Sequence, residues 1–158
     1  LTAEERADAT KAFGSSIPLD KVLVAVLTPP VDLIELINNE RPFTTMFVIN
    51  FASWAKVDRK TLIHELTHVW QGVAVGPLYM VEAIHAQADY GAAAYDYGGK
   101  TELVKRRAAA ASDKEAFDSY NREAEAAIIE DYWDKRFNQA LPEAEWKDWL
   151  PYDNVVFS

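Results

Sequence analysis

The stretch HELTHVW, from His64 to Trp70, sets two imidazoles four residues apart with a carboxylate beside the first. Residues four apart share one face of a helix, so both imidazoles can meet at a single point, as two zinc ligands must. The helical repeat turns Glu65 about 100° from His64. From there its carboxylate reaches a water on the metal without becoming a ligand, and it can accept that water's proton during attack on a carbonyl. A catalytic zinc takes three protein ligands and keeps a fourth position for water. The chain has no cysteine, so any metal must be held by His, Asp or Glu, and disulfides and thiol nucleophiles are excluded.

The next segment with ligand chemistry is YMVEAIHAQAD, Tyr79 to Asp89. If helical, it carries Glu82, His85 and Asp89 along one face. Glu82 is the preferred third ligand and His85 its rival, while Asp89 can orient a ligating imidazole from behind. All three histidines of the chain fall between positions 64 and 85, which favours a site over scattered surface histidines. A short pattern such as H-E-x-x-H also arises in helices that hold no metal. The competing reading is a helical interaction domain in which the histidines are incidental.

These residues need elements to position them. Thr2 to Phe13 reads as a short helix closed by Gly14. DKVLVAVL, Asp20 to Leu27, reads as a buried strand, and VDLIELINN after Pro30 as a short helix. RPFTTMFVINF, Arg41 to Phe51, is a second strand. Asp58 caps the helix bearing the motif, and Gly72 or Gly76 ends it. Leu62, Leu66, Val69 and Val73 pack that helix into the core and leave its histidine face to a cleft. A further helix runs from Leu78 to about Tyr95, and Tyr95 to Gly99 form a loop. TELVKRRAAAA is helical, and Ser112 with Glu115 has the capping-box spacing that opens a long helix to about Phe137. Its stripe is Phe117, Tyr120, Ala124, Ala127 and Ile128. Glu123 and Glu130 on this helix could line the cleft, but charged positions on a long helix are usually solvated and neither is assigned chemistry. The expected fold is α+β, mostly helical, with two or three strands beside the motif helix and a long C-terminal helix, in a single domain over residues 1–158.

Composition narrows the partners. The chain has 158 residues, 49% hydrophobic and 26% charged, as an ordinary globular domain has. With 25 acidic against 16 basic residues its net charge is -9, which repels phosphate backbones and argues against nucleic acid. The basic cluster Lys105-Arg106-Arg107 reads as a solvated helix face. The longest apolar run, Val22 to Leu27, is too short to span a bilayer. The chain begins at Leu1, as a trimmed or processed product would, and lack of cysteine does not separate exported from cytoplasmic chains.

HELTHVWQ resembles the active-site helix of gluzincin-type zinc metallopeptidases, and VEAIH resembles the second helix of the thermolysin clan. The resemblance implies a minimal zincin-like domain, with zinc ligated by His64, His68 and Glu82, Glu65 as general base, and a peptide or protein substrate. The first half is also similar to compact bacterial HELTH-containing domains of unknown function, some attached to toxin or secretion systems. That similarity admits a catalytically inactive binding module. The likeness covers roughly residues 18–100. Two departures stand against it: Ala86 occupies the position where thermolysin-like enzymes carry an acidic residue, and the chain has no room for their substrate-binding lobes. In such peptidases the strand before the motif often takes an extended peptide on its edge, which here would be Phe43 to Phe51. An oxyanion donor is also needed, and Tyr95 and Tyr97 are the candidates, with Tyr79 behind them.

Overall fold

The computed structural model describes residues 1–26, 43–51, 57–76, 78, 79, 82, 85 and 89–152, the last three and residue 43 by backbone alone. The fold is mostly helical with one three-stranded mixed sheet, the α+β architecture the sequence implies. The helix expected over Val31–Asn39 lies outside the described residues.

Helix α1 (Ala3–Phe13) starts where the Thr2 hydroxyl accepts from Glu5 N–H and the Glu5 carboxylate accepts in return from Thr2 N–H. This reciprocal cap satisfies two backbone donors that a helix start leaves open. Strands β1 (Leu23–Val26), β2 (Phe43–Thr45) and β3 (Val48–Phe51) follow. The sheet order is β1-β3-β2, with β1 parallel and β2 antiparallel to β3. Central β3 buries Ile49, Asn50 and Phe51. Among the described residues β1 is at an edge and only partly covered, with Leu23 61% exposed, so a strand forms where one was expected but it is not buried. Arg41–Phe51 is likewise not one strand. Met46 takes a positive φ of 55° and the chain reverses into a tight hairpin, because turns of two residues require left-handed conformations.

Helix α2 (Arg59–Val75) carries the motif. The Asp58 carboxylate accepts from Thr61 N–H, and Gly76 stops the helix at φ 83°. Ten consecutive residues, Leu62 to Gln71, are buried. The helix is therefore enclosed on all sides instead of presenting one face to an open cleft. Val73, expected in the core, is 47% exposed and lies beyond the buried run that ends at Gln71.

After α2 the described residues Leu78, Tyr79, Glu82, His85, Asp89 and Tyr90 are helical, and a 3-10 turn, Gly91–Tyr95, follows. Then come α3 (Gly99–Ala109), α4 (Asp113–Asp118), α5 (Arg122–Trp133) and the short α6 (Glu143–Trp146). Ser112 caps α4 by accepting from Glu115 N–H, as its spacing predicts. The single long helix expected from there to Phe137 is instead broken at Ser119–Asn121. Asn121 adopts an extended conformation and its side chain accepts from Ala124 N–H, opening a new helix. An Asn at that position offers the backbone a cap in place of a continued helix. A π-helical turn, Asp134–Asn138, extends α5.

Helix α2 packs most extensively on α5, and also against α1 and β2. Leu62, Leu66 and Val69 of α2 join Phe13, Ile49, Phe51, Phe117, Ile128, Ile129 and Trp133 in one apolar cluster. Fully burying side chains of this size contributes about 1.5–3 kcal/mol each, and this anchoring fixes α2 and α5 face to face. At the α1 end, the buried Asp8 carboxylate accepts from Arg59 Nε at 2.6 Å. Among the described residues no helix is long and apolar enough to cross a membrane.

Candidate metal centre

Helix α2 turns a polar stripe toward α5: Lys60, His64, His68 and Gln71, spaced by three and four residues so that they share one face. Helix α5 answers with Glu123 and Glu130, two turns apart. His64 Nε2 lies 3.2 Å and His68 Nε2 3.4 Å from the same oxygen, Glu123 Oε2. Each imidazole has its other nitrogen engaged: His64 Nδ1 is 2.8 Å from Glu130 Oε2, and His68 Nδ1 is 2.8 Å from Gln71 Oε1. The imidazole rings meet edge to face, centroids 5.2 Å apart.

Ligand atoms of His64, His68 and Glu123 all lie within 4.8 Å of one another. A tetrahedral ion with bonds of about 2.0–2.1 Å holds its ligands roughly 3.3–3.4 Å apart. The two separations to Glu123 Oε2, 3.2 and 3.4 Å, are close to that value, and two imidazoles with one carboxylate form a donor set that zinc accepts. These residues fit a metal ion.

The electrostatics also favour positive charge at this point. Burial disfavours the charged form of His64, but its hydrogen bonds to Glu123 and Glu130 prevail and push its pKa up to about 10. His68 is likewise raised: burial pulls it down, but the charge and hydrogen bond of Glu123 and the charge of Glu65 together outweigh it. For Glu123, burial pulls upward while the two imidazoles hold its carboxyl well below the usual carboxylate range. A proton between imidazole and carboxylate and a cation at the same place answer the same field.

Glu65 is 3% exposed. Thr44 Oγ1, on β2, donates to its Oε2 at 2.8 Å. Burial raises its pKa, against the lowering charges of His68 and His64. Tyr95 lies over His64, ring centroids 5.5 Å apart, and Tyr79 over His68 at 6.3 Å. The two imidazoles are thus covered by tyrosine rings.

The structure brings together His64, Glu65 and His68 as the motif implies, but the third carboxylate beside the imidazoles is Glu123. Glu82 is not in that group. Its Oε2 accepts from Arg122 Nε at 2.6 Å and its side chain is 51% exposed. His85 points outward, 76% exposed, and pairs with Asp89 at 3.3 Å. Asp89 therefore supports His85, and neither joins the His64, His68 and Glu123 group. Tyr95 stays near the centre. The Tyr97 hydroxyl is turned away, donating to Asp131 and accepting from Trp149 Nε1. Burial and Asp131 raise the Tyr97 pKa above the ordinary phenol value.

Glu123 and Glu130 carry no motif of their own, and Gln71 closes the HELTHVWQ stretch without a role assigned to it from sequence. The signal that could find the carboxylates is their seven-residue spacing, which faces them to a common side of α5. Comparison of the chain with family models, curated proteins and solved structures finds no match.

Proposed function

We propose that this protein is a zinc-dependent, peptidase-like hydrolase in which His64, His68 and Glu123 hold the ion and Glu65 is the general base. The convergence of both imidazole Nε2 atoms on Glu123 Oε2, at 3.2 and 3.4 Å, carries this reading. The resemblance of HELTHVWQ to the gluzincin helix supports it, with Glu123 in the role that the resemblance gives to Glu82. Zinc held there by His64, His68 and Glu123 would supply Lewis-acid charge and make water a stronger acid. Glu65, one position along from His64, is oriented by Thr44 and made more basic than an exposed carboxylate by burial. In the reaction a water oxygen bonds to the peptide carbonyl carbon, Glu65 takes the proton and returns it to the amine, and the C–N bond breaks. Tyr95, packed against His64, is the nearer of the two tyrosines proposed as oxyanion donors.

A second reading is favoured by one observation, the enclosure of the site. His64, Glu65, His68 and Glu123 are only 2–6% exposed. The outward groups of the β2 hairpin are also engaged, since the Tyr79 hydroxyl accepts from Met46 N–H at 3.1 Å and donates to Thr44 O at 3.3 Å. In this reading the zinc-holding domain is a non-catalytic binding module, of the kind attached to bacterial secretion or toxin systems.

Elemental analysis of protein purified without added metal separates both from a metal-free domain: about one zinc per chain is expected. Cleavage of a mixed peptide library then separates enzyme from module. Wild type is expected to cleave and Glu65→Gln to lose cleavage while keeping zinc. Equal background from the two would leave the binding module.

A further inference from the structure

Gln71 is fully buried one turn beyond His68, on the side of α2 that faces α5. Its amide makes three contacts. Nε2 donates to Glu125 Oε2 at 2.7 Å and to the Arg122 carbonyl at 3.0 Å, while Oε1 faces His68 Nδ1 at 2.8 Å. A backbone carbonyl is only an acceptor, so the NH2 group must point toward Arg122 and the oxygen must point toward His68. An amide oxygen is also only an acceptor, so His68 Nδ1 must carry a proton. That leaves Nε2, the atom facing Glu123 and His64, as the nitrogen that can give up its proton to a metal.

The partners of Gln71 are themselves held. Both oxygens of the buried Glu125 accept from Arg122 Nη1 at 2.9 Å, and Arg122 Nε donates to Glu82. The amide therefore cannot rotate without leaving Glu125 and the Arg122 carbonyl short of a donor, at a cost of roughly 1–3 kcal/mol per buried group. His64 is treated differently, since its Nδ1 meets the Glu130 carboxylate, which is shared with Lys60 at 3.3 Å. One imidazole is backed by a charge and the other by a neutral amide.

We infer that Gln71 is a positioning residue for His68: its amide, locked by Glu125 and the Arg122 carbonyl, accepts the Nδ1 proton and so presents Nε2 to a divalent cation held with His64 and Glu123. This rests on the metal reading above and adds the element that selects the ligating nitrogen. Partners behind a ligating imidazole typically tune metal affinity 10–100-fold.

The test uses zinc-loaded protein. Nitrogen-15 NMR of the wild type is expected to show a His68 Nδ1–H proton that exchanges slowly with solvent, with Nε2 ligated. A His68 ligated through Nδ1, or a rapidly exchanging Nδ1–H, overturns the inference. Gln71→Leu is expected to weaken zinc binding about 10–100-fold and to abolish that slow proton. The double substitution Gln71→Glu with Glu125→Gln exchanges amide and carboxylate at constant charge, and is expected to restore both. Wild type that binds zinc no better than Gln71→Leu overturns this inference alone. Wild type that takes up no zinc overturns the metal reading and this inference together.

Discussion

Two helices flank the motif helix with ligand-type residues, and they fare differently. The helical segment after α2 brings Glu82, His85 and Asp89, all exposed and paired with Arg122 or with each other. Helix α5 brings Glu123 and Glu130, which reach the imidazoles from more than fifty residues away. Nearness in sequence does not select the carboxylate; the packing of α2 on α5 does. An exposed carboxylate satisfies itself with water or a surface cation, whereas one buried against two imidazoles has a charge partner that nothing else can replace.

The sharpest way to break that contrast is to remove one carboxylate from each side. Glu123→Ala is expected to drop zinc from about one per chain to background by elemental analysis. In chelator it is also expected to destabilise the fold by about 3–5 kcal/mol, because two buried imidazoles lose the carboxylate they share, as urea titration would read. Glu82→Ala and His85→Ala are expected to keep full zinc. Metal loss in either, with Glu123→Ala still loaded, would return the third ligand to the segment after α2.

A smaller effect tests how tightly that segment seals the site. Glycine to alanine inside a helix ordinarily stabilises by about 1 kcal/mol. At Gly72 a Cβ would sit 2.9 Å from Cε1 of Tyr79, a rigid ring fixed at its hydroxyl by Thr44 and Met46. Gly72→Ala is therefore expected to destabilise by about 1–3 kcal/mol, the usual range for overpacking. A rise in melting temperature would show that the Tyr79 cover on His68 yields easily.

The smallest effect belongs to the surface. The Glu82–Arg122 pair is about half exposed on the Glu82 side, so Glu82→Ala should cost only about 0.2–1 kcal/mol in chelator. A loss several times larger in the same urea titration would mean that Arg122 needs Glu82 to hold Glu125, and through it Gln71.

Much of the fold was legible in local signals. Asp58 and Ser112 each cap the helix their side chains predict, and Thr2, read only as the start of its helix, caps it too, since capping depends only on residues three apart. The breaks were harder to read. Asn121 is compatible with a helix interior or a cap, and Phe43–Phe51 with a straight strand or a hairpin, and packing against α2 chooses in both cases. Burial also misled. Charged residues on a long helix are usually solvated, yet Glu123 and Glu125 are at most 2% exposed, because the polar stripe of α2 gives them partners. Leu23 and Val73 are apolar yet exposed.

By itself the sequence determined the motif helix and the pairing of its histidines. Four-residue spacing brings His64 and His68 together in any α-helix, whatever surrounds it. The same local geometry sets Glu65 beside them. Which carboxylate completes the group, and which amide backs His68, only the tertiary structure decided. His64 and Glu123 are 59 residues apart, and their meeting depends on a helix break at Asn121 and on the face that the apolar core presses from α5 onto α2. Neither is written in any short window of residues, because burial is a property of the assembled helices and not of the side chains being buried.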